Sequence, residues 1–171
     1  YPDYIQNQID GISNALPAGI EHIILDAEKE WENEDPDLAH QLLHGIAEAI
    51  GHRANLHLSS FCNPNDHPLP LEAFLEHCQS FMPQAYQIGN TPTSKVMDRV
   101  YHQCVQPTTN SLGHLLIPTI NKPVMLQLMR DRKFAGVNVW LWEDDGGDPG
   151  VEPRQESWKQ PIQDYFTWLN S

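Results

Sequence analysis

Basic residues are scarce in this chain. Its 171 residues hold 10 Lys and Arg against 23 Asp and Glu, a formal charge of −13 at pH 7 with a pI near 4.9. Such a surface repels a backbone polyanion unless its few cations gather on one face. The densest basic group, Arg130, Arg132 and Lys133, is too small for that, so no nucleic-acid partner is expected. Long hydrophobic runs are missing as well. Stretches such as Ile23-Ile24-Leu25 are strand fragments, far short of the roughly 20 apolar residues of a membrane span, so the chain reads as soluble with no membrane partner. Cysteine is limited to Cys62, Cys78 and Cys104 without a C-x-x-C spacing. This argues against a disulfide framework and a structural zinc site, and leaves open both a single bridge and the redox compartment.

Several motifs are absent too. Neither a P-loop nor G-x-G-x-x-G occurs, so no nucleotide cofactor is expected. His40 and His44 stand one helical turn apart, but the residues between them are Gln-Leu-Leu rather than the glutamate-bearing H-E-x-x-H. They read as a solvent-facing polar side, and no metal is expected. Ser59 and Ser60 lack the G-x-S-x-G elbow of a hydrolase nucleophile. There is no charged-then-apolar leader, and the first residue is Tyr1 rather than Met, which reads as a chain processed or cut from something longer. With no low-complexity linker either, residues 1–171 read as one domain.

What is present is an alternation. Short β-rich runs follow longer helical patterns about five times, which predicts an α/β fold with parallel strands. The runs are 22–28, 55–61, 82–87, 114–119 and 136–142, with helical patterns over 2–16, 36–50, 71–81, a stretch capped by Ser94 and carrying Val96, Val100 and Val105, one opened by Asn121-Lys122-Pro123, and a last one through Trp158, Ile162, Phe166 and Leu169. Strand starts roughly 20 to 35 residues apart match one βα unit each. Two architectures fit: the C-terminal part of a (β/α)8 barrel, which needs eight strands, or a self-sufficient five-stranded flavodoxin-like sheet.

Alternate residues of a strand share a face, so Asp26 and Glu28 point the same way, with Cα atoms roughly 6.5 to 7 Å apart. Two carboxylates that close favour one proton between them, a device for general acid chemistry, and strand ends are where parallel α/β folds gather their sites. Gln84 and Tyr86 share a face in the third run, an amide and a phenol suited to holding a sugar or a developing oxyanion. Met82-Pro83 equally suits a distorted edge strand. In the fifth run Trp140 and Trp142 share a face, with Asp144 continuing the parity, and a tryptophan at the sheet mouth offers a flat platform for a pyranose ring. Glu143, Asp144, Asp145 and Asp148 have oxygens for a calcium loop but lack the EF-hand spacing, so they read as a solvated acidic turn.

Asp26-Ala27-Glu28, Gln84-Ala85-Tyr86 and Val139-Trp140-Leu141-Trp142, in that order, resemble the second half of a glycoside-hydrolase barrel, of the family-18 chitinase or family-25 lysozyme kind. Those barrels carry D-x-E at the end of the fourth strand, and the chitinases add a tyrosine motif on the sixth and a tryptophan on the eighth. The five runs then correspond to strands four to eight, over nearly the whole chain. The chitinase pattern D-x-x-D-x-D-x-E has Glu21 and Ile24 where its earlier aspartates belong. Leu25-Asp26-Ala27-Glu28 is closer to the lysozyme version, whose other site residues lie on strands outside this chain. The resemblance implies that Glu28 protonates a glycosidic oxygen and that Asp26 orients a 2-acetamido group acting as internal nucleophile. It further implies that Tyr86, with Gln84, holds the acetamido oxygen, and that Trp142 floors the subsite. The implied substrate is an N-acetylhexosamine polysaccharide, peptidoglycan or chitin, and the lysozyme-like version implies a secreted or virion-associated protein. A partial barrel exposes edges, which calls for an N-terminal barrel segment, a partner chain or a homo-oligomer to cover them. The rival expectation is a carbohydrate-binding or structural remnant of that barrel without turnover.

Overall fold

A computed structural model of the chain describes residues 2–16, 19–51, 54–63, 66–87, 90–109, 115–132, 134, 136–139 and 154–171. Helix α1 (Pro2–Ala15) precedes β1 (His22–Asp26), a 3-10 turn (Lys29–Trp31) and α2 (Pro36–Ala49). Next come β2 (Asn55–Phe61), α3 (Leu71–Leu75), β3 (Ser80–Ala85) and α4 (Thr93–Arg99), which runs on into a wider π-type helix (Val100–Thr109). The chain continues through β4 (Leu115–Leu116), β5 (Thr119–Ile120), α5 (Met125–Asp131), β6 (Asn138–Val139) and α6 (Arg154–Leu169). Among the described residues no helix is long and apolar enough to cross a membrane.

All pairings are parallel and the order is β1-β2-β3-β5-β6, with β4 also on β3. β4 and β5 share one offset to β3, so they are two ladder segments of a single strand, and the sheet is a curled wall of five strands alternating with helices. Each new strand adds on the same side as the last. A flavodoxin-like sheet reverses its order partway, so that alternative is excluded, and the architecture is that of part of a (β/α)8 barrel. Right-handed crossovers in a monotonic order put every helix on one face and leave the other open. On β1 the exposed residues His22, Ile24 and Asp26 alternate with the half-buried Ile23 and Leu25.

The helix face carries the core. Leu56, Leu58 and Phe81 of the sheet pack with Leu42, Leu43 and Ile46 of α2 and with Phe74 and Leu75 of α3. Each such side chain contributes on the order of 1.5–3 kcal/mol of hydrophobic burial. Helix α2 starts where the sequence says it should: Pro36 occupies the first turn and the Asp35 carboxylate accepts from Asp37 N at 3.0 Å. It stops at Gly51, whose φ of +61° is left-handed.

Three details differ from expectation. The helical pattern at 71–81 stops at Leu75, because Gln79 N donates to Leu56 O and Ser80 and Phe81 pair with β2, so ladder formation overrides the apolar periodicity. Ser94 is not a cap: α4 begins at Thr93 after Pro92, with no side-chain capping bond. Finally, Met82-Pro83 lies in a central strand, not at an edge. The common offset of β4 and β5 puts Pro83 opposite Pro118, in the gap between the two ladder segments. Phe81, of the same parity as Pro83, uses its carbonyl toward Ile117 N, so the N–H that Pro83 lacks faces the same neighbour, at the point where that ladder is interrupted.

Candidate functional site

The open face of the sheet carries two polar groups, one at each end of the strands. At the N-terminal end His22 Nδ1 lies 2.9 Å from His57 Nε2, and His57 Nδ1 lies 2.7 Å from Ser80 Oγ. Burial, and secondly the neighbouring His22, hold His57 below the ordinary histidine range. This group is closed on itself. The other group, at the C-terminal end, lines a cavity of about 430 Å³ bordered by Ile24, Asp26, Glu28, Ser59, Gln84, Tyr86, Thr119 and Asn138.

Asp26 is the last residue of β1, and the ladder continues one step past it: Ala27 N donates to Ser59 O at 3.0 Å, and Ala27 O accepts from Ser60 Oγ at 2.5 Å. Ala27 is therefore pinned from both sides, which fixes the flanking Asp26 and Glu28 on the open face. Glu28 then opens the 3-10 turn, with its carbonyl accepting from Trp31 N and its N–H donating to Glu30 Oε1. Buried Trp31 meets Phe74 edge-on at 4.9 Å, anchoring the turn in the core.

The two carboxylates share a partner. Gln84 Nε2 donates to Asp26 Oδ1 at 2.9 Å and to Glu28 Oε1 at 2.8 Å, and Ser59 Oγ donates to Asp26 Oδ1 at 2.8 Å. One amide nitrogen with two hydrogens thus stands between the two acids, where a shared proton was expected. Gln84 accordingly presents its nitrogen to the carboxylates, not to the open cleft. Tyr86 borders the same cavity, and its pKa is pushed up to about 12 by burial first and then by the charges of Asp26 and Glu28. The phenol stays protonated at any working pH and is a hydrogen-bond donor.

The four residues Asp26, Glu28, Gln84 and Tyr86 that parity singled out on two strands meet in one cleft. Trp140, Trp142 and Asp144, and with them the acidic stretch 143–148, lie outside the described residues. Three lining residues were not anticipated. Ser59 stands out in the sequence only as a serine without the hydrolase elbow, and Thr119 and Asn138 only as members of the runs 114–119 and 136–142. Asn138 Nδ2 donates to Thr119 Oγ1 at 3.3 Å, joining β5 to β6 across the cleft floor. A polar residue of inward parity near the C-terminal end of each strand is the signal that finds all three.

The rim is stiffened by contacts between the two loops after β1 and β2. Asn33, with φ +62°, donates its N–H to Pro68 O at 2.8 Å. His67 Nδ1 lies 2.5 Å from Glu32 Oε1, and its ring stacks on Phe61 at 3.9 Å between centroids. On the outer surface His40 departs from the solvent-facing reading: it is half-buried, with Nδ1 3.2 Å from His77 Nε2, whereas His44 stays exposed beside Glu48. Among the described residues no group of three or more His, Cys, Asp or Glu is arranged to hold a metal ion. Cys62 and Cys78 are free thiols, Cys104 Sγ donates to Cys62 O at 3.5 Å, and burial raises the pKa of all three. Comparison with protein-family models, with curated proteins and with solved structures finds no match to this chain.

Proposed function

We propose that this cleft is the active site of a glycoside hydrolase acting on an N-acetylhexosamine polysaccharide, peptidoglycan or chitin. The observation that carries the reading is the meeting of Asp26, Glu28 and Tyr86 in one cavity at the C-terminal ends of parallel strands, which is where barrel enzymes do their chemistry. In this reading Glu28 delivers a proton to the glycosidic oxygen and Asp26 orients the substrate's acetamido group. Tyr86 donates its O–H to the acetamido oxygen as that oxygen attacks the anomeric carbon. Gln84 acts as a positioning residue, holding both carboxylates at fixed distance through one nitrogen. Trp142 and Trp140 are proposed as the apolar floor of the subsite, with Asp144 beside them.

The proposed partners are the polysaccharide and a barrel-completing element, whether an N-terminal segment, a separate chain or a second copy. The proposed catalytic carboxylates sit at and just past the C-terminal end of β1, the edge of the described sheet, and Ile24 and Leu115 on its open face are 50% and 57% exposed. The lysozyme-like version of the reading implies a secreted or virion-associated protein.

A second reading, a carbohydrate-binding or structural remnant without turnover, is favoured by one observation. Both carboxylates are already hydrogen-bonded inside the protein by Gln84 and Ser59, which suits a fixed wall as well as a proton donor. The deciding measurement uses a chromogenic N-acetylglucosamine oligomer. Glu28→Gln is expected to lower hydrolysis by about 10²–10⁴-fold, the usual worth of a general acid, with an unchanged melting temperature and retained oligomer binding. Binding without hydrolysis in the wild type supports the second reading. Absence of both sinks the two together.

A further inference from the structure

Asp26 and Glu28 border the cleft at one edge of the described sheet, and Asn138, on β6, borders it at the other. Asn138 has no part in the proton chemistry, but register fixes its place. Gln84 pairs with Thr119 and Thr119 with Asn138, and residues paired across a sheet share a face, so the three form one inward row over β3, β5 and β6. The backbone at Asn138 is held as well, its N–H donating to Pro118 O at 3.0 Å.

What the nitrogen touches orients the amide. Nδ2 lies 3.3 Å from Thr119 Oγ1 and 3.9 Å from Met82 Sδ, and a thioether sulfur can only accept, so the nitrogen rather than the oxygen faces it. Both hydrogens are then committed and Oδ1 is left over. Among the described residues no donor reaches that oxygen, and it is not one of the side-chain polar atoms buried without a partner, so it is open to solvent on a residue that lines the cleft. Gln84 repeats the pattern at the other end of the row, its nitrogen on two carboxylates that likewise only accept and its Oε1 without a donor. An acceptor held in this way asks for a donor. Pyranose hydroxyls are donors, and a site built on one such bond discriminates against a ligand whose hydroxyl is removed or substituted, because its own polar group is then left unpaired.

We propose that Asn138 is a substrate-binding and specificity-determining residue, whose Oδ1 accepts from one free ring hydroxyl of the hexosamine unit held at Asp26 and Glu28, so that the cleft takes units in which that hydroxyl is unsubstituted. This rests on the saccharide reading of the cleft. The test titrates the full ¹⁵N-labelled chain with an N-acetylglucosamine trimer, which is expected to shift saturably both the backbone amides around Asp26 and Glu28 and the side-chain amide of Asn138. In competition with the trimer, methyl N-acetylglucosaminide and its 3-, 4- and 6-deoxy analogues are then ranked. One deoxy analogue should bind the wild type roughly 3- to 10-fold more weakly than its parent, the share of one hydrogen bond. In Asn138→Leu that gap should close to less than about 2-fold while the other analogues keep their rank. Asn138→Ser, which is too short to reach the sugar but still offers a hydroxyl near Thr119, should close the same gap and serves if the leucine variant does not fold. Shifts around Asp26 and Glu28 with the Asn138 side chain unmoved, three analogues equal to the parent, or a gap that survives the substitutions would overturn the proposal and leave the saccharide reading standing. No saturable shift anywhere would sink both.

Discussion

The two halves of the sheet are built to different depths. Among the described residues, five pair in register between β1 and β2 and again between β2 and β3, whereas β3 with β4, β3 with β5, and β5 with β6 pair over two residues each. The deep half carries Asp26, Glu28, Gln84 and Tyr86, and Gln84 ties the two acids together by reaching from β3 across β2 to the end of β1. The shallow half contributes Thr119 and Asn138 to the far side of the same cleft and is interrupted where Pro83 faces Pro118. A site needing carboxylates fixed to fractions of an ångström belongs on long ladders, while a wall that only borders the cavity tolerates short ones.

That contrast is testable through stability. Phe81 is a fully buried residue at the centre of the deep half, and Phe81→Ala is expected to cost about 3–5 kcal/mol in a chemical denaturation series. Leu116→Ala, in a two-residue ladder, should fall near the lower end of the roughly 2–5 kcal/mol range for leucine truncation. Amide exchange should be slower in β1–β3 than in β4–β6. Equal costs and equal protection would erase the distinction. A smaller loss, about 1–3 kcal/mol, is expected from Ser60→Ala, which strips the buried Ala27 carbonyl of its side-chain donor. Because Ala27 lies between the two acids, that variant should also loosen the cleft, seen as faster exchange at residues 27–31, while Leu116→Ala should leave those amides alone.

The same contrast governs what the sequence disclosed. In the deep half, parity alone was enough: a strand of alternating exposure such as 22–26 puts residues two apart on one face, so Asp26 joined Glu28 and Gln84 joined Tyr86 before any pairing was known. Strand order was not legible, since the choice between a barrel wall and a reversing sheet depends on which strand pairs with which, and both share the same alternation of elements. The reach of α3 was misread because Phe81 fits the helical spacing of Leu71, Phe74 and Leu75, and only its partner strand decides otherwise. In the shallow half the runs 114–119 and 136–142 looked as long as the others, but the described ladders are short, and prolines facing each other across two strands leave no mark in either segment alone. The Gln84 bridge was hidden for a related reason: a side chain's partner across 58 and 56 residues of sequence follows from register, not composition.

The weaker expected effects concern pH and the outer layer. His57 in the folded protein titrates below its ordinary value near 6.5, chiefly through burial and then through His22, and His77 shifts the same way through burial and then through His40. As pH falls past about 6.5 the unfolded chain takes up these protons before the folded one does. The stability is thus present above that pH and lost on acidification toward the folded values. The melting temperature should fall between about pH 7 and pH 5, and His57→Gln should flatten part of that slope; an unchanged slope would mean that buried His57 has no linkage to folding.

The smallest effect is expected where α1 crosses α2, outside the sheet. A Cβ on Gly45 would stand 2.2 Å from Ile9 Cδ1, too close to coexist, yet that atom is the flexible tip of a half-buried side chain. Gly45→Ala therefore sets a rotamer change of Ile9 against the helix-propensity gain of about 1 kcal/mol, for a net change near zero. Gly45→Val has no such escape, because a β-branched side chain needs the space of the whole Ile9 residue. It should release α1 from α2, read as rapid exchange along residues 3–15 with β1–β3 still protected. If instead the deep ladders opened with it, the strength assigned to the first half of the sheet would belong to its helical cover.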